Sequence, residues 1–176
     1  MRTRLTLLLA TAALAGCAQA PTNTAALEPK PDTPPSEQDQ AWLRTIHEGN
    51  LAEIQAGRLA RGKGMTKRIK AIGKMLVQDH AKLDVQVTGT ATRLGVRLPA
   101  SPSAEQRAEI ARLRDSTGKD FDQDFLAAMT NEHMAAIAAT KTEISGGSSQ
   151  TVVALAKAAA PKLQEHLDAL RNAHGE

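Results

Sequence analysis

IKAIGKMLVQDHAKLDVQVTGTATRL, residues 69–94, is the stretch whose reading decides the fold. At helical spacing, Ile69, Ile72, Leu76, His80, Leu83, Val87, Ala91 and Leu94 recur every three or four residues and form one stripe. Every member is apolar except His80, near the middle. The triplet Gln78-Asp79-His80 returns as Asn131-Glu132-His133 and as Gln164-Glu165-His166. Three of the 5 histidines thus follow a carboxylate directly, in a chain where only 19 of 176 residues are acidic. The repetition is therefore not a by-product of acidic composition. These amide-acid-histidine triplets are the candidate chemistry of the chain.

Working outward, residues 39–60 read as a preceding helix with Asp39 as its cap. Leu43, Ile46, Leu51, Ile54 and Leu59 do not reduce to one stripe, and Gly49 and Gly57 either weaken the helix or permit close packing. Glu53 shares a heptad line with Ile46 and Ala60, so it points inward or lies solvated at the edge of the apolar face. Residues 61–64, Arg-Gly-Lys-Gly, end this helix and set up an antiparallel hairpin with the next.

Beyond residue 94, Pro99 closes the second helix. Ser101 and Pro102 resemble a cap and first-turn proline that open a short helix to Asp115, with Ile110 and Leu113 as its large apolar residues. Gly118 breaks it. A third long helix follows over 120–144, with Phe125, Met129, His133, Ala136, Thr140 and Ile144 on its stripe. Gly146 and Gly147 stop it, and Ser148 or Ser149 caps a fourth. That helix holds Val152, Leu155, Ala159, Leu163, His166, Leu167 and Leu170, with Pro161 set to kink or restart it. Four amphipathic segments and a helical connector, without an alternating strand pattern, give an all-α four-helix bundle over 39–174.

At the amino terminus, Arg2 and Arg4 precede an apolar run over 5–13, too short to span a bilayer as a helix. Leu14-Ala15-Gly16-Cys17 then resembles a lipobox. This makes residues 1–16 a lipoprotein signal peptide and gives Cys17 a diacylglyceryl thioether. Cys17 is the only cysteine, so no disulfide forms. Alanine rather than aspartate at 18 favours the outer membrane, with the bundle facing the periplasm. Five prolines within 18–37 make 17–38 a disordered tether. Removing Arg2 and Arg4 lowers the net charge from +3 to +1, so the basic pI says little about partners. With no tyrosine, one tryptophan and two phenylalanines, stacking platforms for bases are nearly absent, and nucleic acid is not an expected partner. The membrane, through the lipid, is.

Glu53, Asp79-His80, Gly95-Val96, Leu98-Pro99, Phe121-Asp122, Phe125, Met129, His133, Pro161, Leu163 and His166 together resemble the bacterial "domain of unknown function 4142" family. The resemblance spans nearly all of 40–174 and implies a ferritin-like, exported bundle. Phe125 stands where that family often has tyrosine, and Ala160 where leucine usually precedes the proline.

Ferritin-like di-iron sites use Glu-x-x-His on two helices. Here Val77, Thr130 and Leu163 occupy the position three before each histidine, so an oxygen-activating di-iron centre is not expected. What remains is a single transition-metal ion (zinc, copper or iron) on His80, His133, His166 and Glu53. Asp79, Glu132 and Glu165 are candidate supporting groups, and Met129 is a candidate soft ligand one turn from His133. Loop counting leaves His166 and Glu53 off the level of the other two by roughly 7–10 Å. The alternative is a structural or interaction module of the envelope whose histidines pack without metal, each tautomer fixed by a neighbour. His47 and His174, near helix ends, are expected to be solvated, and no nucleophile stands in a recognisable elbow. An enzymatic role has no constellation to support it.

Overall fold

The structure, a computed structural model, describes residues 33–173; the expected signal peptide, Cys17, most of the expected tether and His174 lie outside them. Five helices follow in order: α1 Glu37–Lys63, α2 Lys67–Arg93, α3 Ala104–Asp115, α4 Gly118–Gly146 and α5 Gln150–Ala173. The expected all-α bundle with an extra helix between its second and third long helices is what forms. Among the described residues no helix is long and apolar enough to cross a membrane.

Local rules fix the helix ends, with shifts from the sequence reading. Ser36, not Asp39, caps α1: its hydroxyl accepts from the Asp39 amide at 3.2 Å, while the Asp39 carboxylate accepts from the Ser36 amide at 2.6 Å. Residues 36–38 therefore belong to the bundle rather than to the tether. Ser103, not Ser101, caps α3, because Gln106 three residues on completes a reciprocal pair that Ser101 lacks. Ser149 caps α5, accepting from the Val152 amide at 3.3 Å. Pro161 does not restart the helix: α5 runs through it.

Chain direction follows from contacts at the two ends. The end of α1 meets the start of α4, where Lys63 Nζ donates to the Leu113 carbonyl at 3.2 Å and lies 5.2 Å from the Phe121 ring centre. The start of α1 meets the α4–α5 turn, where Asp39 accepts from the Ser148 and Ser149 amides at 3.1 and 3.2 Å. So α1 is antiparallel to α2 and α4 and parallel to α5. The helices run up, down, down, up, with α3 as the external return over α1 and α4. Gly57 and Gly73 bring α1 and α2 close together: a Cβ on Gly57 would lie 2.8 Å from the Gly73 carbonyl oxygen. Gly49, by contrast, faces open space.

The apolar core comes in two parts. One gathers Phe121, Phe125, Leu76, Leu113 and Leu170 toward the α2–α4 starts. The other gathers Trp42, Leu43, Ile46, Val87, Val152 and Leu163 toward the opposite end. Each large side chain buried there contributes about 1.5–3 kcal/mol. Between the two parts lies a polar layer.

Candidate metal centre

Glu53, His80, His133 and His166, one from each long helix, meet in that layer at no more than 2 % exposure each. The levels agree because the ends agree. Glu53 and His166 each lie 16 residues past the first residue of α1 and α5, two parallel helices tied together by Asp39. His80 and His133 each lie 13 residues before the last residue of α2 and α4, which are also parallel. The mismatch expected from loop counting is thus corrected, since loop lengths carry no trace of the Asp39 tie.

Each imidazole spends one nitrogen outward. His133 Nδ1 donates to the Met129 carbonyl at 2.9 Å, which as a carbonyl can only accept. His166 Nε2 donates to Asp79 Oδ2 at 3.2 Å. His80 Nδ1 meets Asn50 Oδ1 at 2.9 Å, and that amide is oriented by its own nitrogen donating to Asp84 Oδ1 at 3.3 Å. Asp84 is held in turn by His47 Nδ1 at 2.7 Å, whose Nε2 lies 3.0 Å from the Pro99 carbonyl. With their protons facing outward, all three histidines present a lone pair to the centre, a pattern that also fixes the tautomer of metal-bound imidazoles.

The inward atoms are His80 Nε2, His133 Nε2, His166 Nδ1 and Glu53 Oε2. The three imidazole nitrogens lie within 4.8 Å of one another. His133 Nε2 is 3.2 Å from His166 Nδ1 and 3.5 Å from Glu53 Oε2, while His80 Nε2 touches Glu53 Oε2. Metal–nitrogen bonds of about 2.0–2.1 Å at tetrahedral angles place donors about 3.3–3.4 Å apart, close to the first two distances. Glu53 Oε2 and His80 Nε2 are both buried and meet in this acid–imidazole contact without a further hydrogen-bond partner.

Electrostatics favour the same state. Burial pushes the His133 and His166 pKa values down, that of His166 to about 4, against the opposing pull of Glu53 and, at His166, Asp79. Burial alone would raise Glu53, but the surrounding imidazoles hold it below the usual carboxylate range. His133 and His166 kept neutral beside an ionised Glu53 form a donor set for a cation.

The other named residues separate. Asp79 supports a candidate ligand, His166, on a neighbouring helix rather than the histidine of its own. Glu132 accepts from Gln106 of α3 at 3.1 Å and lines a cavity shared with Glu53 and His80; burial, then the Glu53 charge, raises its pKa. Glu165 is exposed and pairs with Lys162 at 2.5 Å, away from the centre. Met129 serves through its carbonyl, while its side chain packs with Phe121 and Phe125, so it supplies no soft ligand. His47 is buried at 7 % exposure, contrary to the expected solvation, because the α2–α3 connection folds back over it. The sequence reading missed Asn50 and Asp84. The signal was present in His47, Asn50 and Glu53, spaced by three along one face of α1.

The family described as "Domain of unknown function (DUF4142)" matches residues 24–173. Among solved structures, a DUF305 fragment from Deinococcus radiodurans superposes with a TM-score of 0.72 at 14% identity, over 81% of this chain and 99% of that one, a likeness of fold alone. No curated protein matches.

Proposed function

The chain belongs to the DUF4142 family, and we propose that it binds one transition-metal ion at the centre of its bundle, through His80, His133, His166 and Glu53. One observation carries this reading. His133 Nε2 and His166 Nδ1 stand 3.2 Å apart with the proton of each ring directed elsewhere, so two lone pairs face each other and a cation placed between them relieves the repulsion. A purely structural layer would instead close its hydrogen bonds internally.

The donor set is three imidazole nitrogens and a carboxylate oxygen, without sulfur. It suits zinc, cupric copper or ferrous iron better than soft cuprous copper. A divalent ion, Glu53 and the adjoining Asp79 sum to zero charge, which removes most of the penalty for a buried ion. Three imidazoles with a carboxylate as the fourth donor would suit a four-coordinate ion, the pattern of holding rather than of turnover. Storage, sensing or buffering of the metal is the role we assign. The lipobox-like 14–17 segment and the proline-rich stretch behind it support a lipid-anchored location on the periplasmic side of the outer membrane, with no nucleic-acid partner.

The test compares wild type with His80→Gln, first in chelator and then with zinc, copper and iron in turn. At a hundredfold the dissociation constant, an ion binding only the folded state stabilises wild type by about 2.7 kcal/mol. The variant keeps a polar side chain beside Asn50 and loses that gain. If no ion stabilises wild type, the layer is packing and the metal reading fails.

A further inference from the structure

Two cavities reach the centre from opposite sides of the bundle, and they differ in kind. Between α1 and α4 lies one of about 260 Å³, walled by Trp42, Ile46, Ala136, Ala139 and Leu163, with Glu53, His80 and Glu132 at its floor. Between α2 and α5 lies one of about 290 Å³, with Asp79, His80 and His166 at its floor and the exposed Lys82, Gln86 and Ala158 at its mouth. The second alone shows two of the three ligand histidines and a carboxylate to solvent.

Three further features converge on that α2–α5 cleft. Of the four seams between adjacent long helices, it is the one where the helices pack least closely. Its α5 wall contains Pro161, which has no amide hydrogen to offer the Lys157 carbonyl, so the helix is weakest one turn before His166. Ala158 and Ala159 keep that wall low. At the floor, the Asp79 carboxylate is one-quarter exposed while the His166 ring it holds is buried. Its Oδ2 is bonded to His166, its Oδ1 faces the exposed Lys82 at 3.6 Å, and the exposed Lys162 adds a second charge at the same mouth, pairings that water screens and that an incoming divalent ion outcompetes.

We infer that the α2–α5 cleft is the port through which the metal ion enters and leaves, with Asp79 as its first protein ligand. The inference rests on the metal reading above. A hydrated divalent cation meets a carboxylate there before it meets an imidazole, and exchanges water for oxygen at a group already bonded to His166. From Asp79, His166 and His80 are the next donors inward. The α1–α4 cavity offers mostly apolar walls and a cover in α3, so it does not replace the hydration shell of an incoming ion.

The experiment measures uptake and release of Co²⁺, whose absorption reports tetrahedral nitrogen–oxygen ligation, in the full chain. Uptake is followed by stopped flow, and release after mixing with excess chelator. Ala158→Trp covers the mouth of the α2–α5 cleft. Ala135→Trp, equally exposed, covers the other cavity. Circular dichroism checks that each variant folds. We expect Ala158→Trp to slow uptake and release together by tenfold or more while the dissociation constant stays within threefold, and Ala135→Trp to leave both rates unchanged. Asp79→Asn should slow uptake by a similar factor. Slowing by Ala135→Trp instead, or equal rates in all variants, overturns the port while leaving the metal site standing. Absence of Co²⁺ binding to wild type overturns both.

Discussion

Glu143 gives the fold a pH dependence that can be worked out in advance. Its side chain is buried at the lower end of α4, with Oε1 lacking a hydrogen-bond donor. Burial first, then the neighbouring Asp39, pushes its pKa up from an ordinary 4.5 to about 7, with Gln38 opposing. Protonated, the carboxyl donates to Asp39; ionised, it faces a second carboxylate. Asp39 is the group that stays charged, since the bonds from Ser36 and Ser148 outweigh its own burial and hold it well below the carboxylate range. A native pKa above the unfolded one means that the folded state binds the proton more tightly. The resulting stability is complete below pH 4.5, declines as the pH rises from there to about 7, and is gone above. Without screening the loss is about 3 kcal/mol; solvent reaching Gln38 reduces it, and about 2 kcal/mol is expected. In Glu143→Gln the amide donates to Asp39 at every pH. Urea unfolding of the two metal-free proteins at pH 4.5, 6 and 8 isolates this group, because the shifts of Glu53 and the histidines cancel in the difference. The variant should match wild type at the lowest pH and exceed it by about 2 kcal/mol at the highest. A difference that does not vary with pH refutes the assignment.

Further outcomes follow from other parts of the molecule. Asn50→Leu frees the proton of His80 from Nδ1, so nitrogen NMR of the apo protein should show mixed tautomers, and titration should show metal affinity reduced about 10- to 100-fold. Gly73→Ala places a methyl 2.6 Å from the Gly57 carbonyl oxygen, and calorimetry should register a loss of about 1–3 kcal/mol. Cys17→Ser should accumulate uncleaved precursor that takes up no labelled fatty acid; normal labelling would rule out the lipid anchor. Deleting residues 18–32 should leave the melting temperature unchanged, whereas extending the deletion through Ser36 should lower it by removing the α1 cap and its tie to Ser148.

The stripe from Ile69 to Leu94 was enough to place α2, and with it His80 at mid-helix, because one clean apolar face fixes both helix type and orientation. The same held for His133 in α4. What periodicity could not show was the level of one helix against another. Glu53 and His166 align because Asp39 reaches across to the α4–α5 turn, a long-range bond that leaves no mark in loop lengths. Helix α1 was the hardest to read for a related reason. Its inward face carries His47, Asn50 and Glu53 among its apolar residues, so no single apolar stripe runs along it. The irregularity was itself the record of the polar layer. His47 was misplaced because proximity to a helix end was equated with solvent, whereas the Pro99 segment covers it.

The placement of that polar layer bears on why the bundle has it. The core is built largely of alanine, leucine and small side chains, and it is divided in two by four groups that an apolar set of similar volume would replace at equal or greater stability. Three of those groups are anchored from outside by partners on the same or neighbouring helices, which costs further ordering entropy. Anchoring of this kind aims the inner nitrogens without satisfying them. His80 Nε2 and Glu53 Oε2 face each other without a further hydrogen-bond partner, while the outer nitrogen of His80 is held through Asn50 and Asp84. Under the proposed metal role, donors aimed beforehand at one point let an ion bind without rearranging the fold, and the stability given up without the ion reappears as affinity.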